Sequence, residues 1–138
     1  AFDYYRGNAT YDTKKLTINQ HKLKVIAKTQ GLLWCEFSEL CQKDRSQNDY
    51  LELAKQFHTI LISNIPQITA TDRKTALRFI HLIDVLYDKH VRVIITAETT
   101  AQTIYPDGPY AFEFQRTQSR LIEMQSTDYF ERDENLLI

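Results

Sequence analysis

His58–Glu98 reads HTILISNIPQITATDRKTALRFIHLIDVLYDKHVRVIITAE, and this stretch decides the fold. Two short β-branched runs, Thr59–Ser63 and Val91–Thr96, flank a long amphipathic segment from about Asp72 to Lys89. Ala76, Phe79, Ile80, Ile83, Leu86 and Tyr87 recur at helical spacing, while Arg73, Lys74, Asp88 and Lys89 fall off that stripe. Thr71 or Asp72 supplies the cap, and Asn64-Ile65-Pro66 supplies the turn after the first run. A strand–helix–strand unit of this kind is expected to be a right-handed crossover between parallel strands. Ligands of open α/β sheets sit beyond the carboxyl ends of the strands. Asn64, Thr96 and Glu98 at those two ends therefore form a candidate strand-end site.

Working outward, Leu16–Ile18 and Leu23–Ile26 alternate like the arms of a hairpin, with Asn19 to Lys22 as its turn and Lys22 and Lys24 facing solvent. Gly31 breaks the pattern, and Leu33–Phe37 reads as a third strand. A helical turn is expected over Ser38–Gln42. Ser46 and Asp49 match an acidic capping box that starts a helix running to Phe57, with Tyr50, Leu53, Ala54 and Phe57 on its apolar face. Beyond the central unit, the pattern predicts a short helix at Ala101–Tyr105, a turn at Pro106–Pro109 and a helix over Gln115–Gln125. A last turn is expected at Thr127–Glu131, and Ala1–Thr13 reads as a loop or extension. The whole is read as one domain, residues 1–138, of the α/β class: a parallel strand–helix–strand core with an N-terminal hairpin.

Composition narrows the function. A chain of 138 residues is long enough for a proper core. Its formal net charge of −1 offers no electrostatic footprint for nucleic acid. No apolar run approaches the roughly 20 residues of a membrane span, so no transmembrane segment is expected. The single methionine is Met124, so the chain is expected to be a piece of a longer protein. The glycines are Gly7, Gly31 and Gly108, and neither a G-x-x-x-x-G-K-[ST] loop nor a G-x-G-x-x-G fingerprint exists. A backbone cradle for phosphate is therefore missing. Cys35 or Cys41 with His58 has the composition of a nucleophile and base, but apolar neighbours favour buried, inert thiols. His21, His58, His81 and His90 do not fall at metal-ligand spacing, so no metal site is expected. Asp84, at the edge of the helical stripe, reads as a carboxylate satisfied by a local donor.

Arg116–Gln125, RTQSRLIEMQ, carries the positive signal. Arg116 and Arg120 are four apart and share one helical face, with Leu121 and Met124 toward the core. Two stacked guanidiniums suit an anion or a partner's carboxylates. The plainer alternative is a solvated face paired with Glu113 and Glu123.

WCEFSELC, DYLELAKQFHT, RFIHLIDVLYD and RTQSRLIEMQS together resemble, in order, the C-terminal region of the ZapE family of AAA+-related P-loop ATPases. This family includes bacterial cell-division proteins and the mitochondrial lactation elevated protein. The blocks span about Leu16 to Tyr129. The resemblance implies an AAA+/P-loop-NTPase-like half without its P-loop. ATP and Mg²⁺ would then be used by the parent protein, with the Walker motifs upstream, and the fragment itself would carry no catalytic residue and no cofactor. In the AAA+ pattern Ser63 and Asn64 stand where Mg²⁺-binding carboxylates would be, and Thr96 stands at the sensor position. Arg116 or Arg120 stands where an arginine finger is found, on a face expected to point out of the domain toward a neighbouring subunit or the upstream half. The implied partners are the upstream ATPase half of the same chain, FtsZ and the division ring, and a second copy in a homo-oligomer. The implied place is the cytoplasm, peripheral to the inner membrane at the division site. Two functions stay open: a structural and subunit-coupling part of an ATPase, or an interaction module that never contacts nucleotide.

Overall fold

The computed structural model describes residues 15–125; the expectations for Ala1–Thr13 and Thr127–Glu131 fall outside that range. The elements follow as β1 (Leu16–Ile18), β2 (His21–Leu23), β3 (Ala27–Lys28), β4 (Leu32–Glu36), α1 (Phe37–Cys41), α2 (Gln47–Gln56), β5 (Thr59–Ile65), α3 (Arg73–Asp88) and β6 (Arg92–Ala97). A 3₁₀ turn (Ala101–Thr103) and α4 (Ala111–Met124) complete them. The main sheet has the order β3-β4-β5-β6. β3 is antiparallel to β4, whereas β4, β5 and β6 run parallel. The predicted parallel pair joined by a helix is thus present. It is preceded by a second parallel connection, from β4 through α1 and α2 to β5.

Alternate strand residues divide the sheet into two faces. Leu33, Cys35, Ile60, Ile62 and Val93 join the buried residues of α1 to α4 in one core. Leu32, Leu61 and Ala27, with Trp34 and Ile94 against them, form a smaller cluster on the other face. The helices of the described residues therefore gather on one side. β5 is buried on both faces from Thr59 to Ile62, as its unbroken apolar run predicts. β6 is only half-buried at Arg92, Ile94 and Ile95, because it lies at the edge of the sheet order. α3 buries Thr75, Leu82 and Val85 in addition to its predicted stripe, since it packs against both α2 and α4.

The hairpin turn is tighter than expected. Leu16 pairs with Leu23 and Ile18 with His21, leaving only Asn19 and Gln20 between the arms. Both have positive φ, 48° and 72°, as a two-residue turn compatible with strand twist requires. No glycine marks it, so the sequence pattern alone suggests a four-residue turn and a later second arm. The hairpin is tied to α2 through Asp49. This carboxylate, 2% exposed, completes the capping box by accepting from the Ser46 N–H at 3.1 Å. It also accepts from Asn19 Nδ2 at 3.2 Å and from His21 Nδ1 at 3.0 Å. Glu39 plays a similar part on the short helix, accepting the Lys24 N–H at 2.8 Å and pairing with Lys43.

Burial would raise both carboxyls, but these donors outweigh it and hold each below its ordinary value of 3.8 (Asp49) or 4.5 (Glu39). A carboxyl lowered in the folded state stabilises fully above its unfolded pKa, and that contribution disappears as pH falls through the folded value. Denaturant midpoints are therefore expected to hold steady above about pH 5 and to fall progressively below about pH 4. Asp49→Asn is expected to flatten that acid slope, and an unchanged slope would deny the clamp.

Candidate functional site

β5 does not stop at Ser63 but continues to Ile65 through a register shift against β6. Asn64 sits at this irregularity with φ of 62°, a conformation that asparagine tolerates better than most side chains. Its N–H donates to Thr96 Oγ1 at 3.0 Å, and its Nδ2 donates to Glu36 Oε2 at 2.8 Å. Glu98 closes the far side: its N–H donates to the Ile65 carbonyl at 2.8 Å and its carboxylate accepts the Gln67 N–H at 3.1 Å. Asn64, Thr96 and Glu98 line one shallow cleft of about 270 Å³. The fold therefore brings the three predicted strand-end residues together.

Glu36 is the residue that the sequence reading missed. It ends β4 and stands opposite Ser63 in the parallel register, so a carboxylate does reach the end of β5, but from the neighbouring strand. Only the β4–β5 pairing makes this visible. The resulting donor set is poor for a polyphosphate. Glu98, Asn64 and Thr96 give the cleft a carboxylate, an amide and a hydroxyl, Glu36 stands behind Asn64, and no cationic side chain among the described residues lines it. Among the described residues no group of three or more His, Cys, Asp or Glu is gathered for a metal. ATP with its Mg²⁺ does not fit this cleft, and no chemical step is assigned to it.

The arginine pair is placed differently. α4 begins at Ala111, four residues before the predicted start, and carries Phe114, Thr117, Leu121 and Met124 into the core. Arg116 and Arg120 do share a face, but their acceptor is neither Glu113 nor Glu123. Arg116 donates to Asp84 Oδ2 at 3.1 Å and Arg120 to Asp84 Oδ1 at 2.5 Å. One carboxylate of α3 thus holds both guanidiniums, and the donors satisfying Asp84 come from another helix. Arg120 is 20% exposed and its guanidinium carbon lies 4.6 Å from the centre of the Tyr87 ring, an arrangement that adds a cation–π attraction. The Tyr87 hydroxyl donates to Glu123 at 2.6 Å. Arg116, 65% exposed, stands at the rim. The face is turned onto α3, with Arg116 largely open to solvent and Arg120 partly buried.

Among the described residues, one helix neighbour of the pair has no partner. Thr117 is fully buried and its Oγ1 makes no hydrogen bond. A buried unpaired hydroxyl costs about 1–3 kcal/mol, so Thr117→Val, close in shape, is expected to raise stability by about 1 kcal/mol. A lowered melting temperature would contradict this.

The remaining chemistry-bearing residues do not assemble. Cys35 and Cys41 are free and fully buried, and burial pushes both thiols far above the ordinary range. Cys35 faces Ile62 in the register, while His58 precedes the opposite end of β5. No described helix is long and apolar enough to cross a membrane.

A sheet with three parallel strands, an antiparallel edge strand and its helices on one face is consistent with a P-loop-NTPase-like fold. The chain belongs to the AFG1-like ATPase family, whose model matches residues 2–133. It is 37% identical over 127 residues to the cell division protein ZapE of Escherichia coli K12, covering 92% of this chain and 34% of that protein. It is 31% identical to lactation elevated protein 1 homolog B of Danio rerio, over 91% of this chain and 31% of that protein. The chain therefore spans about a third of the length of these curated relatives. No solved structure matches.

Proposed function

We propose that this chain is the non-catalytic, coupling part of an ATPase whose phosphate loop and Mg²⁺ ligands lie in other parts of the parent protein. Membership of the AFG1-like ATPase family supports hydrolysis by the parent. The carboxylate-lined strand-end cleft and the lack of a glycine-rich loop support placing the nucleotide elsewhere. The arginine pair on Asp84 is the observation that carries the reading. Arg120 is pre-oriented by a carboxylate and an aromatic ring, with Arg116 beside it at the surface. Guanidiniums held in this way are suited to meet developing phosphate charge presented by the upstream half or by a neighbouring subunit.

The similarity to a cell division protein supports a role in division for a bacterial parent. There the partner would be FtsZ or another component of the division ring, on the cytoplasmic side of the inner membrane. A second reading, a docking module that never contacts nucleotide, is favoured by Phe112 and Ile122 on α4. They are large apolar side chains 78% and 51% exposed.

Steady-state phosphate release separates the two components of the proposal. The full-length parent is expected to turn over ATP, and the 138-residue chain alone to release phosphate no faster than buffer. Turnover by the chain that persists through further purification and is lost in Glu98→Gln would place a catalytic site here and overturn the proposal.

A further inference from the structure

At the end of the sheet remote from Asn64, the C-terminal ends of α2 and α3 meet the amino ends of the strands around a cleft of about 540 Å³. Lys55 reaches it from the last turn of α2. Lys89 and His90 reach it from the end of α3. There the chain reverses through two hydrogen bonds, His90 N–H to the Tyr87 carbonyl at 3.1 Å and Val91 N–H to the Leu86 carbonyl at 2.9 Å. This is the helix-ending motif in which glycine usually takes the left-handed position. Here His90 takes it, with φ of 57°. His58 forms a wall of the cleft and lies close against Gly31, where an added Cβ would stand 2.4 Å from its Nε2. Glycine at position 31 is thus what leaves room for the imidazole.

Among the described residues the lining contains no carboxylate, and its apolar part includes Phe57 and Val91. Lys55 and Lys89 have no ion pair among the described residues. Their sequence neighbours Glu52 and Asp88 lie outside the lining, and Glu52 accepts a hydrogen bond from Gln56. Offsetting the two helix C-termini is the ordinary role for such cations. Each terminus presents only about half a negative charge, so two lysines exceed what the helices require. Lys55 also borders the neighbouring pocket that holds Asp49 and Glu52, while Lys89 lines this cavity alone, and the surplus beside the cavity is positive.

We propose that this cleft binds a phosphate-bearing ligand between Lys55 and Lys89. Compact ammonium groups suit the point-charge recognition of phosphate, whereas planar carboxylates are better met by the arginine fork that this lining lacks. The phosphate would come from a small soluble molecule or from a lipid headgroup. The proposal is independent of the coupling role of Arg120.

The test uses the 138-residue chain with two probes: pyrophosphate, followed by NMR titration, and vesicles of phosphatidylcholine with or without phosphatidylglycerol, followed by co-sedimentation. Pyrophosphate is expected to shift the resonances of residues around Lys55 and Lys89. The double variant Lys55→Gln/Lys89→Gln is expected to weaken binding about tenfold, because two solvent-open charge-assisted contacts are removed. Lys22→Gln, on the hairpin, is expected to change nothing. Co-sedimentation that requires phosphatidylglycerol and disappears in the double variant would identify the headgroup as the source; pyrophosphate binding without it would identify a soluble ligand. Melting temperatures show that each variant is folded, and the single Lys89→Gln replaces the double variant if the latter melts early. Binding of neither probe, or binding that is undiminished in the folded variant, overturns the proposal.

Discussion

Ile83→Ala is expected to destabilise the domain by about 2–5 kcal/mol, the range for truncating a large aliphatic side chain in a packed core. Ile83 is fully buried in the middle of α3 and belongs to the core shared by the main sheet and α1 to α4. Because α3 packs against both α2 and α4, neighbouring side chains have little freedom to collapse into the space. Loss of three methylene-sized groups is therefore felt as lost burial plus a cavity. With a urea m-value of about 2 kcal/mol/M for a small domain, the midpoint should fall by roughly 1–2.5 M. Ile122→Ala, on the exposed side of α4, is the control and should move it little. A midpoint unmoved by Ile83→Ala would mean that the helix does not carry the core.

That helix is also the part of the fold most legible in the sequence. Its stripe, its cap at Asp72 and the two flanking β-branched runs all point to one crossover, and the Asp72 side chain does accept from the Thr75 N–H at 3.4 Å. The Ser46–Asp49 capping box was legible for the same reason: residue type at fixed spacing determines which backbone donors are satisfied. What escaped was non-local or lacked its usual marker. Gln20 adopts a turn conformation normally signalled by glycine. The exposed Phe112 blurs the amphipathic pattern at the start of α4. Glu36 reaches Asn64 only through the β4–β5 pairing. Arg116 and Arg120 find Asp84 on another helix, whereas helical spacing can nominate only partners within their own helix, Glu113 and Glu123.

The Asp84 anchor changes what substitution of Arg120 should do. Arg120→Ala removes a charge-assisted hydrogen bond and the contact over Tyr87, and leaves Asp84 to the more exposed Arg116. A fall in stability of about 1–3 kcal/mol is expected from this alone. If the guanidinium also meets phosphate charge in the parent, the loss in turnover is far larger, up to about 10³–10⁵-fold for a true arginine finger. Stability and turnover therefore report different roles of one side chain. Asp84→Asn separates them further, since it removes the anchoring charge and leaves both guanidiniums in place. It is expected to lower the melting temperature while preserving more turnover than Arg120→Ala does.

The decisive measurement is ATP turnover by full-length Arg120→Ala, made well below its own melting temperature and compared with Asp84→Asn in the same assay. The coupling account predicts that folded Arg120→Ala loses turnover by orders of magnitude more than equally folded Asp84→Asn. Normal turnover by folded Arg120→Ala, with only its melting temperature lowered, would contradict the account and leave Arg120 as a strut between α3 and α4.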